Sequence, residues 1–212
     1  MNTEKMSFEW RFLLQWVMVS TLGFAIGFPM GRAMGGAEVF GVEIQFVTVG
    51  LAIGFFVGIM QWLVLWRQIS RSGCWVLAST LGGAVGIVVG LIMLIVVATI
   101  IGFDLEANTD EFSSGAFAGF VAIWFGGIGF SIGTMQWLIL RRQISQAGYW
   151  VLASFMGWAA LGAVAALMGL DLEAVGEPIG KVVRIGAVSG AVLGAITGFP
   201  MVWLLQQDVS GT

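Results

Sequence analysis

The chain has 212 residues, 58% of them hydrophobic and 10% charged, with nine Lys and Arg against twelve Asp and Glu and a mean hydropathy of +0.97. Soluble domains carry about 25% charged residues, so this composition excludes a water-soluble globule and leaves an integral membrane protein. The absence of histidine removes the commonest zinc ligand, the usual haem ligand and the side chain that titrates near neutrality.

Each crossing of the hydrocarbon takes about 20 apolar residues, and the hydrophobic runs predict six helices. They make an all-α polytopic membrane bundle, with residues 1–212 as one transmembrane domain. The first helix is expected at 9–32; its apolar run from Phe12 to Met30 is long for a signal peptide and no A-x-A site follows, so it reads as a retained span. An acidic link, "GGAEVFGVE", leads to a second helix at 45–66, and the short basic turn "RQISRSG" to a third at 75–101. After "GFDLEANTDEF" comes a fourth at 114–140, after the basic "RRQISQAG" a fifth at 149–169, and after "GLDLEAVGEP" a sixth at 182–205.

Lys5, Arg11, Arg67, Arg71, Arg141 and Arg142 fall on one side of this arrangement, and Arg32, Lys181 and Arg184 on the other. Cytoplasmic positive charge sets orientation, so both termini are expected in the cytoplasm. The membrane is expected to be the cell's inner, plasma membrane. The single cysteine, Cys74, forms no internal disulfide and says nothing of redox compartment.

The chain repeats itself. "GIMQWLVLWRQISRSGCWVLAS" at 58–79 returns as "GTMQWLILRRQISQAGYWVLAS" at 133–154, 75 residues later, with 16 of 22 letters unchanged. "WVMVSTLGFAIG" at 16–27 is a weaker relative of "WVLASTLGGAVG" at 75–86 and "WVLASFMGWAALG" at 150–162. The even helices share endings at 54–65, 129–140 and 194–205, an alignment that sets Met201 opposite Gln61 and Gln136. Three parallel helix pairs follow, at about 9–66, 75–140 and 149–205, around a pseudo-threefold axis along the membrane normal, unlike inverted-repeat transporters. Closing that ring requires the sixth helix to lie beside the first, with Trp203, Gln206 and Gln207 near Trp10, Arg11 and Gln15. Ser79 to Asp104 spans 25 residues but Ser154 to Asp171 only 17, so the third helix is expected to be about two turns longer than the fifth.

Glycines recur every fourth residue, as at 23, 27 and 31, at 82, 86 and 90, and from 186 to 198. Such stripes let helices approach closely in lipid, either within the chain or toward a partner subunit or pore. Gln61 and Gln136 lie about 9 Å below the surface arginines, level with Ser79 and Ser154. Each glutamine is expected either to bond the serine across its own hairpin or to point at the axis as part of a polar constriction. Trp62, Trp75, Trp137 and Trp150, with Trp66, flank the basic turns, where indoles favour the headgroup zone. Arg67, Arg71, Arg141 and Arg142 sit among them as contacts for anionic headgroups.

Ser70 and Ser145 have neither base nor oxyanion hole in view, so they read as turn formers. Asp104, Glu106, Asp171 and Glu173 form two DLEA copies that are either a solvated acidic face or oxygen ligands for Ca²⁺ or Mg²⁺, in a spacing that matches no established loop. Pro29 and Pro200 are expected to kink the first and last helices.

The repeated QWL, RQIS and WVLAS wording resembles that of multi-pass membrane proteins of cyanobacteria and Chloroflexota with no assigned activity, over about 58–170. The resemblance implies a source and a possible thylakoid location, and no mechanism. Without a nucleophile or metal constellation the chain is not expected to be an enzyme, and neither cofactor nor nucleic acid is expected. The leading expectation is a structural or accessory membrane protein that associates through glycine-rich faces with itself or a larger membrane complex. A small passive channel or transporter for water or a neutral solute on the axis is the alternative. Coupled ion transport usually leaves an acidic residue within a span, and none is present. Lipid or pigment between the helices stays open.

Overall fold

A computed structural model describes residues 3–34, 38–39, 42–43, 45–69, 72–103, 113–168 and 178–209. Six helices dominate: α1 Thr3–Met34, α2 Gln45–Leu65, α3 Cys74–Ile100, α4 Ser114–Leu140, α5 Gly148–Leu167 and α6 Ile179–Val209. Between α1 and α2 lies a minimal antiparallel pair, β1 Glu38–Val39 on β2 Val42–Glu43, with Val39 opposite Val42. All six helices are long and apolar enough to cross a bilayer, and the chain is a multi-pass membrane protein. In hydrocarbon every backbone polar group must be bonded internally, which such segments achieve as helices.

The helix ends are built locally. Ser113 caps α4, its Oγ accepting from the Ala116 amide at 3.2 Å. At the far end of α3, Gly102 takes a positive φ of 68°. Its amide donates to Thr99 O and that of Phe103 to Ala98 O, closing the helix in a Schellman turn. With 27 residues against 20, α3 exceeds α5 by about two turns. Pro29 and Pro200 both lie inside helices that continue past them.

Successive helices pack in a ring, and α6 closes it against α1. The first part of α1 and the last part of α6 meet at the end that carries both basic turns, here called the basic end. There Gln206 Nε2 donates to Glu9 Oε1 at 2.6 Å. Trp203 does not turn toward α1 as expected: its ring meets Tyr149 of α5 edge-on at 5.6 Å.

Glycines set five of the six seams. A Cβ added at Gly23 would stand 2.6 Å from Val57 Cα, one at Gly27 2.8 Å from Ile53 Cα, and one at Gly82 2.7 Å from Ile132 Cα, so α1–α2 and α3–α4 pack backbone on backbone. On the other side of each odd helix, Gly54 lies on the Ser79 carbonyl, Gly129 on that of Ser154 and Gly190 on that of Ser20. The exception is α5–α6, where the helices touch least. There Gly157 meets only side chains, Leu193 and Thr197 at 3.1 Å. Four and eight residues after Gly157, where α1 and α3 continue with glycine, α5 has Leu161 and Ala165. So α5 lacks the glycine stripe along which α1 and α3 approach their neighbours.

Candidate functional site

The motif WVxxS places tryptophan and serine four residues apart, one turn of helix and therefore on one face. It occurs as Trp16 and Ser20 in α1, Trp75 and Ser79 in α3, and Trp150 and Ser154 in α5, and all six side chains are buried. The three indoles converge, with ring centroids 6.4 Å apart for Trp16 and Trp75, 6.0 Å for Trp16 and Trp150, and 5.9 Å for Trp75 and Trp150. Aromatic pairs favour these separations.

Trp75 and Trp150 were expected among lipid headgroups; instead they are 0% and 2% exposed on the inner axis. Sharing a helix face with a buried serine decides this. Trp62 and Trp137 are half-buried, and Trp66 is outward. The Arg67 guanidinium lies 4.7 Å over the Trp66 ring and that of Arg141 4.8 Å over Trp137, cation–π contacts at the basic surface. Arg142 is exposed beside them. Arg71, Ser70 and the acidic residues Asp104, Glu106, Asp171 and Glu173 lie outside the described residues.

The even helices supply the acceptors for these indoles. Trp75 Nε1 donates to Gln61 Oε1 at 3.0 Å and Trp150 Nε1 to Gln136 Oε1 at 2.7 Å. Each amide nitrogen then turns away from its own hairpin. Gln61 Nε2 donates to Ser20 Oγ at 3.3 Å and Gln136 Nε2 to Ser79 Oγ at 2.9 Å, where Ser79 and Ser154 respectively were expected. Across its own hairpin each glutamine meets the indole, which leaves its amide hydrogens for the helix on the other side. Ser79 Oγ itself donates to Trp75 O at 2.8 Å.

The third acceptor is Thr197, not Met201. Trp16 Nε1 donates to Thr197 Oγ1 at 3.1 Å, and that hydroxyl donates to Leu193 O at 2.7 Å. Gln61 follows Gly54 by seven residues, as Gln136 follows Gly129 and Thr197 follows Gly190, and these three glycines make the same contact with a serine carbonyl. Aligning the ends of the even helices by letter therefore sets α6 one turn out of register. Met201 instead matches Leu65 and Leu140, all three fully buried at the basic end of the axis.

The links run from α5 through α4, α3, α2 and α1 to α6, so a single polar layer reaches every helix. Within it lies a void of about 30 Å³ lined by Gln61, Ser79, Gln136, Ser154 and Thr197, enough for a water molecule, which needs about 10–15 Å³ and two to four polar partners. Below the layer, Phe12, Leu65, Leu140, Met201 and Leu204 close the basic end.

Above it, toward the opposite end, a cavity of about 260 Å³ opens between all six helices. Its wall includes Phe24, Phe28, Trp124, Phe125, Trp158 and Leu161; Arg32 and Gln45 stand at the end of α1 and the start of α2. Trp158 packs on Phe24 at 5.6 Å and on Phe125 at 6.2 Å. Among the described residues no three His, Cys, Asp or Glu side chains gather as a metal site. Comparison of the chain with protein-family models, with curated proteins and with solved structures finds no match in any of the three.

Proposed function

We propose that this is a structural or accessory membrane protein without catalytic activity, built as three parallel helix pairs around a pseudo-threefold axis with both termini in the cytoplasm. The observation that carries this reading is the layer of Trp16, Trp75 and Trp150, whose indoles meet edge-on or tilted across the axis above an apolar plug. On this reading the axis serves to hold the six helices together. The basic turns favour a cytoplasmic location for that end, in the plasma membrane or a thylakoid.

The glycine stripes act as zippers within the ring, since the stripes of α1, α2, α3 and α6 all lie against neighbouring helices of the same chain. Association with a second copy or a larger complex therefore uses the outer apolar surface. On α3 only 22% of the most apolar window is buried, against 39–44% in the other helices. This helix offers the largest outward face.

A passive path for water or a small neutral solute is the second reading, because the 260 Å³ cavity and the 30 Å³ void together supply part of a route. Shrinkage of proteoliposomes in a gradient of water or glycerol separates the two. The accessory reading expects the permeability of empty vesicles, and native electrophoresis of mildly solubilised membranes is expected to show a stoichiometric complex. Rapid shrinkage with the unmodified protein would overturn it.

A further inference from the structure

We infer that the central cavity is a binding site for a single-chain anionic amphiphile, with its aliphatic chain among Phe24, Phe28, Trp158 and Leu161 and its head at Arg32. The cavity has an identifiable origin. Counted from the serine-contacting glycines, Ile53, Ile128 and Ser189 occupy one level, and all three line it. Serine at 189 leaves unfilled the volume that isoleucine takes at the other two positions. Leu161 lines the same space, beside the seam where α5 and α6 touch least.

Size and polarity then select the occupant. About 260 Å³ accommodates roughly nine groups of methylene or water size at ~30 Å³ each, near the lower end of small-molecule sites. An apolar, aromatic wall does not hold a file of water, and it suits an aliphatic chain. Arg32 follows Phe24 by eight residues, about 12 Å along the helix, so one end of the space is apolar and the other cationic. A guanidinium presents a planar fork of donors that matches a carboxylate or phosphate. The loose α5–α6 seam, where Gly157 meets only side chains, gives the chain a lateral way in from the bilayer.

The test uses the full chain in phosphatidylcholine nanodiscs with a diazirine analogue of octanoic acid, whose length matches the space, and maps the photolabel by mass spectrometry. Saturable labelling on Phe24, Phe28, Trp158 or Leu161, competed by octanoate, is expected. Arg32→Gln is expected to raise the octanoate concentration for half-competition about tenfold or more, the value of a hydrogen bond to a charged group, and to leave competition by octanol unchanged. Ser189→Ile, which installs the residue found at 53 and 128, is expected to abolish saturable labelling without changing the elution volume. If that variant aggregates, Arg32→Gln decides alone. Label confined to outward residues such as Leu91 and Ile95, or identical octanoate competition in Arg32→Gln, overturns the site. Neither result bears on whether the axis conducts.

Discussion

The indole of Trp16 donates to the hydroxyl of Thr197 at 3.1 Å, a bond between residues 181 positions apart that fastens the first helix to the last. No covalent turn joins these helices, so their register depends on side chains. Thr197→Val removes the acceptor at nearly constant volume and leaves a buried donor. A loss of about 1 kcal/mol is expected, measured by thermal unfolding in detergent, with Thr197→Ser close to the unmodified protein. Equal stability of the valine and serine variants would show that this bond does not hold the seam.

The two glutamines should not be equivalent. Gln136 makes bonds of 2.9 and 2.7 Å, Gln61 of 3.3 and 3.0 Å. Gln136→Leu strands the Trp150 indole and takes a donor from Ser79, at an expected cost of about 2 kcal/mol. Gln61→Leu is expected to cost about half as much. The reverse ranking in the same unfolding assay would contradict the geometry of the layer.

Glycine substitutions distinguish tight seams from the slack one. In Gly54→Ala the new methyl meets the Ser79 carbonyl, which belongs to a rigid backbone, and a loss of about 2 kcal/mol or failure to assemble is expected. Gly157→Ala meets the methyl groups of Leu193 and Thr197 at 3.1 Å, which must yield by a few tenths of an ångström, and Gly119→Ala has nothing within 4 Å. Gly119→Ala is expected to be neutral or slightly stabilising, since alanine favours helix by up to about 1 kcal/mol, and Gly157→Ala to lose clearly less than Gly54→Ala. Size-exclusion profiles and unfolding midpoints give the answer. A Gly157→Ala variant as damaged as Gly54→Ala would remove the distinction.

Ring closure can be trapped chemically. In a Cys74→Ser background, Glu9→Cys with Gln206→Cys is expected to react with a short bifunctional thiol reagent and migrate as a compact species on denaturing gels. Pairing Glu9→Cys with a cysteine at Leu91, on the outer face of α3, serves as the negative control. Labelling of both pairs alike would mean that the reagent bridges separate molecules.

The helices were legible because periodicity is irrelevant to a span that must be apolar throughout; length and composition alone place α2, α3 and α4 within a residue or so. α1 was expected at residue 9 and begins at Thr3, because polar residues extend a membrane helix beyond the apolar run that announces it. Four members of the polar layer, Gln61, Ser79, Gln136 and Ser154, were legible, but their pairing was not. Depth put Gln61 level with Ser79, but the direction of each side chain around its helix decides which neighbour it meets, and six helices offer two neighbours each. Trp75 was misplaced although its four-residue spacing to buried Ser79 carried the needed signal. Trp16, Ser20 and Thr197 were overlooked as members because the first and last helices keep only part of the repeated wording. The cavity was not legible: it results from Ser189 and Leu161, ordinary residues whose effect depends on what stands opposite.

The contact between α1 and α6 also constrains how the protein is made. Domains are synthesised from the N-terminus at about 5–20 residues per second, and α1 gains α2 as soon as the latter enters the bilayer. Its second face, at Ser20 and Phe24, awaits Gly186 and Gly190, which are the last glycine seam to be translated. Until then the Trp16 indole has no Thr197 to receive its hydrogen, and the space enclosed by the six helices lies open on one side to lipid. The contact is non-local and cannot form until α6 enters the bilayer, so the ring and the cavity within it are completed only by the last helix.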